Sequence, residues 1–156
     1  MRILYIIYQI CIGLPIFLVL TILTALVTTL GCWLGNGHFW GYYPGKIWSQ
    51  LTCITFLLPI KVEGKENIDE KTSYVFLANH QGAFDIFLIY GYLGRNFKWM
   101  MKKSLRKIPF VGKACEMAGF IFVDKSSPRK VYETIKNAER VLQGGTSMVV
   151  FPEGAR

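Results

Sequence analysis

The chain has 156 residues, with 18 basic and 10 acidic side chains and a formal net charge of +8. That length suits one domain of ordinary size, but not all of it can build a water-soluble core, because no Lys, Arg, Asp or Glu occurs from Ile3 to Gly45. The cysteines Cys11, Cys32, Cys53 and Cys115 form no CxxC pair and three lie in apolar stretches, which argues against a zinc site or a disulfide framework and for buried, reduced thiols.

Residues 3–33 form a long apolar run interrupted only by Gln9, Gly13, Pro15, Gly31 and several threonines. A membrane-spanning helix needs about 20 apolar residues, and residues 14–33 satisfy that alone. Pro15 is expected to kink this helix or to mark its start. A cleaved signal peptide has an apolar region of about 7–15 residues and a small-x-small cleavage site. This run is longer, and Leu30-Gly31-Cys32-Trp33-Leu34 offers no such site, so an uncleaved anchor is the expectation. Trp33, His38, Phe39, Trp40, Tyr42 and Tyr43 then cluster, as aromatic rings do at headgroup level. Residues 46–60 are a second apolar segment, short for a span. It reads either as an interfacial or re-entrant helix or as the return arm of a hairpin. Residues 1–60 are thus expected to form a membrane anchor and 61–156 a separate soluble domain. Sixteen of the 18 basic residues lie from Lys61 onward, which by the positive-inside tendency places that domain on the cytoplasmic face.

Beyond Lys61 short β-rich runs alternate with helical patterns. Strands are predicted at 73–78, 97–101, 119–123 and 147–151. A helix is predicted at 82–92, and 103–117 reads as two helical pieces divided at Pro109. Ser126 or Ser127 caps a further helix with Pro128 at its first position. Its apolar face is Val131, Ile135, Ala138 and Leu142, and Gly144 and Gly145 stop it. The alternation implies an α/β fold with right-handed crossovers and sites beyond the strand ends. Between Ile86 and Cys115 there is no acidic residue, while Arg95, Lys98, Lys102, Lys103, Arg106, Lys107 and Lys113 all fall there. Such a run is either a solubilising surface or a seat for an anionic partner, and beside a membrane segment anionic lipid is a better partner than nucleic acid. No nucleic-acid-binding motif is present.

Two turns carry the chemistry. Asn79-His80-Gln81-Gly82-Ala83-Phe84-Asp85 follows the first predicted strand. On one continuous helix His80 and Asp85 would lie about 140° apart. With His80 in the turn and Asp85 in the first helical turn they can converge, helped by a bend at Gly82. A carboxylate on one ring nitrogen then leaves the other as a general base. Taken alone, the motif also fits a plain turn with Asp85 placed near a helix start. The second turn, Phe151-Pro152-Glu153-Gly154-Ala155-Arg156, follows the last predicted strand. It brings a guanidinium suited to phosphate and a glycine that permits close backbone approach, or is an ordinary Pro-Glu-Gly turn.

Together these blocks resemble the lysophospholipid acyltransferase family, of the 1-acyl-glycerol-3-phosphate acyltransferase type, marked by Asn-His-x-x-x-x-Asp and a downstream Phe-Pro-Glu-Gly-Thr-Arg. Asn79, His80 and Asp85 match the first; Phe151, Pro152, Glu153, Gly154 and Arg156 match the second. Lys103 with Pro109-Phe110-Val111-Gly112, and Gly119 to Lys125, resemble the intervening blocks. The resemblance implies a glycerolipid acyltransferase-like sheet with flanking helices. It implies transfer of a fatty acyl group from acyl-CoA or acyl carrier protein to a lysophospholipid hydroxyl, with phosphatidic acid as product. His80 would be the general base and Asp85 its orienting partner. Arg156, Lys125 and the Gly154 backbone would hold the acceptor phosphate, with Glu153 and Asn79 beside them. No metal or cofactor is required; membrane lipids and the acyl donor are the partners. Related acyltransferases acting on glycerol-3-phosphate or a lyso-aminolipid, and a non-catalytic membrane module, are the alternatives. Three positions depart from the pattern: Ala155 stands for Thr, Lys125 for Arg, and Gly82 for Ser. Family members continue past the position of Arg156 with further strands and helices, so the catalytic domain is expected to be incomplete.

Overall fold

The computed structural model describes residues 2–69 and 71–152. Helix α1, Arg2–Leu34, is the one helix among the described residues long and apolar enough to cross a membrane. Pro15 does not mark its start, contrary to one sequence expectation. A proline lacks the N–H that would bond four residues back, and its ring presses on that carbonyl. The helix accommodates this by widening to π spacing over Gln9–Gly13, where the Leu14 N–H donates to the Gln9 carbonyl.

After α1 the chain turns through Gly37–Trp40, where the Asn36 side chain accepts from the N–H groups of His38 and Phe39. It returns as α2, Tyr43–Thr55. Its 13 residues reach about 20 Å, short of the ~30 Å hydrocarbon core. It runs antiparallel along α1. Trp48 Nε1 donates to Thr21 Oγ1 at 3.0 Å, and the Tyr8 and Tyr5 hydroxyls donate to the carbonyls of Thr55 and Phe56 at 2.9 and 2.7 Å. The second apolar segment therefore folds back along α1 as the second arm of a hairpin, with a helix shorter than a full span.

The other face of α2 meets α3, Phe84–Tyr92. Gly45 lies so near the Tyr90 ring that a Cβ there would overlap it, and Gln50 Nε2 donates to the Gly91 carbonyl at 2.9 Å. Consequently α1 is not surrounded by lipid along its whole length. Ala25, Thr28 and Gly31 are buried against protein, while Ile3, Leu4, Ile10, Leu18 and Leu23 stay exposed. Among the aromatic cluster, Tyr42 is corrected from interface to core. It is 2% exposed and packs on Tyr90 and Phe97. Of the cysteines only Cys53 is buried; Cys11 is exposed.

Four strands, β1 Val75–Leu77, β2 Phe97–Lys102, β3 Ile121–Val123 and β4 Ser147–Val150, form a parallel sheet in the order β1-β4-β2-β3. Val75 is in register with Met148, Phe97 with Ser147, and Met100 with Ile121. A parallel sheet is covered on both faces. Here Phe97, Trp99 and Val149 meet Tyr42 and Tyr90 on one side, while Ile121 and Met148 meet Ala138 on the other; at β1 that second face is open, with Val75 and Leu77 49% and 69% exposed. The 103–117 segment is a 3-10 turn, Lys103–Lys107, and α4, Val111–Met117, divided near Pro109 as the sequence suggested. Helix α5, Pro128–Gln143, is capped by the Ser127 side chain. Its packed face is Val131, Thr134, Ala138, Val141 and Leu142. Ile135 lies on the flank of that stripe and is 49% exposed, correcting the predicted face. The basic run is also not all free surface. Arg95 donates to the carbonyls of Asp69 and Thr72, and Lys98 is partly buried, which lowers its ammonium pKa.

Candidate active site

Because every strand points the same way, the turns that follow β1, β2, β3 and β4 share one edge of the sheet. His80 and Asp85 sit there, on the turn between β1 and the start of α3. The distance from His80 Nδ1 to Asp85 Oδ2 is 3.2 Å. The same Asp85 oxygen accepts the backbone N–H of Gln81 at 2.6 Å and of Gly82 at 2.9 Å. A carboxylate in the first helical turn that reaches back to preceding N–H groups locks the turn, as the acidic member of a capping box does. Partial burial pushes the Asp85 carboxyl up. The Gly82 and Gln81 N–H groups and His80 together outweigh burial and hold it below its ordinary range. Gly82 does not adopt a left-handed backbone; it serves through its N–H rather than through a special bend.

The His80 ring lies flat on Phe151, with centroids 4.3 Å apart and planes 21° from parallel. Phe151 in turn stacks on Trp99 at 5.4 Å, and Trp99 is 4% exposed in β2. The imidazole is therefore fixed at one nitrogen by a carboxylate and across its face by an aromatic column. His80 Nε2 has no hydrogen-bond partner among the described residues, and the side chain is 30% exposed. The arrangement can take a proton from a hydroxyl brought to that nitrogen. Sequence reasoning missed the column. Phe151 belongs to the second motif and Trp99 to the strand predicted at 97–101, and no local pattern links them.

The other candidates are distributed differently. Asn79 is exposed, with no hydrogen bond among the described residues. Lys125 is exposed just past β3. In the order β1-β4-β2-β3 that is three strand spacings from β1, roughly 14 Å, so Lys125 is not brought against His80. Glu153, Gly154 and Arg156 lie outside the described residues. A second polar group, not foreseen, is centred on Asp124. Lys103 Nζ reaches it at 2.7 Å, Lys130 Nζ at 3.4 Å, and the Ser126 N–H at 3.0 Å. Lys103 foremost, then Ser126, holds this carboxyl well below its usual range. Lys103 thus stands fixed at the same edge.

An α/β domain with a His-Asp pair at its strand edge, attached to an apolar helical hairpin, finds its relatives readily. The sequence model of the acyltransferase family matches residues 59–156, and the chain belongs to that family. It is 32% identical over 116 residues to the chloroplastic 1-acyl-sn-glycerol-3-phosphate acyltransferase of Arabidopsis thaliana, covering 74% of this chain and 32% of that protein. It is 33% identical over 128 residues to the 1-acyl-sn-glycerol-3-phosphate acyltransferase of Saccharomyces cerevisiae, covering 79% and 41%. It is 30% identical over 105 residues to the enzyme of that name in Helicobacter pylori, covering 67% and 44%. The chain thus spans less than half the length of these relatives. No solved structure gives a significant match.

Proposed function

We propose that this chain carries the catalytic pair of a membrane-bound 1-acyl-glycerol-3-phosphate acyltransferase. The observation that carries the reading is the imidazole of His80, held by Asp85 at 3.2 Å and stacked on Phe151 at the open edge of the sheet. The names of the relatives supply the substrate class. In the reaction His80 Nε2 takes the proton of the acceptor's free hydroxyl as its oxygen attacks the thioester carbonyl of acyl-CoA or acyl carrier protein. Asp85 stabilises the imidazolium. The C–S bond then breaks, and the thiolate leaves with the proton returned by His80. The acceptor hydroxyl does the work of an enzyme nucleophile, so no covalent enzyme intermediate is needed.

Arg156, the Gly154 backbone and Lys125 hold the acceptor phosphate in this scheme, with Glu153 and Asn79 beside it. Residues 1–60 are the anchor and 61–156 the catalytic part, facing the cytoplasm. The test uses membranes containing this chain, and a version extended to the length of the relatives, given lysophosphatidic acid with acyl-CoA or acyl carrier protein. Phosphatidic acid formation that is lost in His80→Ala supports the reading. Activity on glycerol-3-phosphate alone would reassign the acceptor. Undiminished product in His80→Ala would overturn the mechanism.

A further inference from the structure

Among the described residues only two non-glycine positions have positive φ, Leu57 at 53° and Phe110 at 60°. Both are large and apolar, and both are mostly in the open, at 63% and 56% exposure. Phe110 is the centre of a three-residue turn in which the Val111 N–H donates to the Pro109 carbonyl at 2.6 Å, with ψ at −53°. That is the rare, strained form of the γ-turn. Backbone strain and exposed apolar surface are each unfavourable in water, and strain of this kind gathers at functional places.

The two residues lie on the same edge of the molecule. Phe110 belongs to the segment that leaves the C-terminal end of β2, as His80 leaves that of β1. Leu57 follows Phe56, whose ring packs on Phe84, the neighbour of Asp85, and against Gly13 of α1. Around Phe110, Leu105 and Ile108 are also exposed, at 42% and 43%. Lys102, Lys103, Arg106, Lys107 and Lys113 are interleaved with them and exposed; Lys103 pairs with Asp124, and Arg106 and Lys113 share the one carboxylate of Glu116, so the segment keeps an excess of positive charge. The segment is rigidly built: a Cβ on Gly112 would overlap the Arg106 carbonyl. The Tyr5 hydroxyl bonds the Phe56 carbonyl, so the lipid-compatible N-terminal half of α1 begins at this same edge.

We propose that Leu57 and segment 102–113 form a second membrane contact, separate from the hairpin's apolar faces. On this surface Leu57, Leu105, Ile108 and Phe110 enter the interface of a bilayer and the interleaved cations meet anionic headgroups. Apolar side chains flanked by Lys and Arg are what an interfacial contact with anionic lipid requires. An acidic protein would satisfy the cations but not the strained, outward Leu57 and Phe110. The contact seats the His80 edge at headgroup depth, and it stands whatever acceptor the site takes.

The test uses the full chain with its four native cysteines replaced by alanine and an environment-sensitive fluorophore on Leu57→Cys, Phe110→Cys or, as control, Lys136→Cys. Each is reconstituted into vesicles of phosphatidylcholine alone or with phosphatidylglycerol. The expected result is blue-shifted emission and shielding from a neutral aqueous quencher at positions 57 and 110, but not at 136. The shielding at 110 should strengthen with phosphatidylglycerol and lose that gain when Lys102, Lys107 and Lys113 are changed to Gln. Labels at 57 and 110 as water-accessible as at 136 would overturn the proposal. So would shielding that ignores phosphatidylglycerol, or that rises with protein density as self-association would. Acetylation of Lys102, Lys107 and Lys113 in the unaltered chain gives an independent reading: protection in phosphatidylglycerol vesicles is expected, and equal labelling in both overturns the anionic contact.

Discussion

His80 and Phe151 lie face to face, their ring centroids 4.3 Å apart. One follows β1 and the other β4, neighbouring strands with Leu77 in register with Val150. The two sequence motifs are thus in direct contact, and Phe151 of the second supports the imidazole of the first. A side chain held on one face by Phe151 and at Nδ1 by Asp85 has little freedom to rotate out of its working position. Phe151→Leu is expected to lower kcat roughly ten- to a hundredfold with KM little changed, since small misplacements of a reacting group are costly. Phe151→Tyr, which keeps the flat face, should restore most of it. Steady-state kinetics on the extended protein distinguish this from a purely structural role, which would move the amount of folded enzyme and not the kcat of what remains.

Asp85→Asn keeps an oxygen for the Gln81 and Gly82 N–H groups but removes the charge that stabilises an imidazolium. A fall in kcat of about 10²–10⁴ is expected, with circular dichroism unchanged. Retention of full activity would show that His80 works without its carboxylate.

The same carboxylate links stability to acidity. Its pKa in the folded chain lies below the ordinary value, about 3.9 in an unfolded chain, because its backbone and His80 hydrogen bonds outweigh burial. A depressed acid contributes stability in full above the unfolded value and loses it as pH falls through the folded one. The stability difference between the wild-type chain and Asp85→Asn should therefore be level from about pH 5 to 8 and shrink below about pH 4. Denaturant titrations in detergent across that range measure it. A difference that grows on acidification would reverse the assigned sign.

At Gly45 the hairpin packs directly on α3, with the Tyr90 ring filling the space a Cβ would need. Gly45→Val should destabilise the chain by about 1–3 kcal/mol through overpacking, lowering Tm. Shortening the opposing ring with Tyr90→Leu in the same chain should recover part of the loss relative to Tyr90→Leu alone. Unchanged stability in Gly45→Val would mean that the hairpin and α3 can separate freely.

The parts legible in the sequence were those with local causes. The parallel α/β order, the Pro109 division, the Ser127 cap and the convergence of His80 with Asp85 follow from periodicity, proline and glycine chemistry and a five-residue spacing. What was not legible depends on partners distant in the chain. Tyr42 looks like an interface aromatic until Tyr90 and Phe97 close over it. Lys98 looks like a surface charge until its strand is placed inside the sheet. Ile135 fits the apolar face of its helix until the packing of α5 on β3 and β4 turns Thr134 and Val141 inward and leaves Ile135 exposed. The stack of His80 on Phe151 needed the strand order, since no local signal puts β4 beside β1.

That strand order also governs how the molecule assembles. β4 is made after β1, β2 and β3, yet it lies between β1 and β2. Until Ser147–Val150 has left the ribosome, the strand leading to His80 has no neighbour among the described residues. Helix α1 precedes all four strands and can form from local contacts alone. β2 and β3 can join early, but β1 must wait for a partner more than 70 positions later, a closure that is slow compared with helix formation. The hairpin, whose contacts are closer in sequence, can therefore form before the sheet is complete. Among the described residues the edge that carries His80 is completed by β4, inserted between strands that could not pair without it.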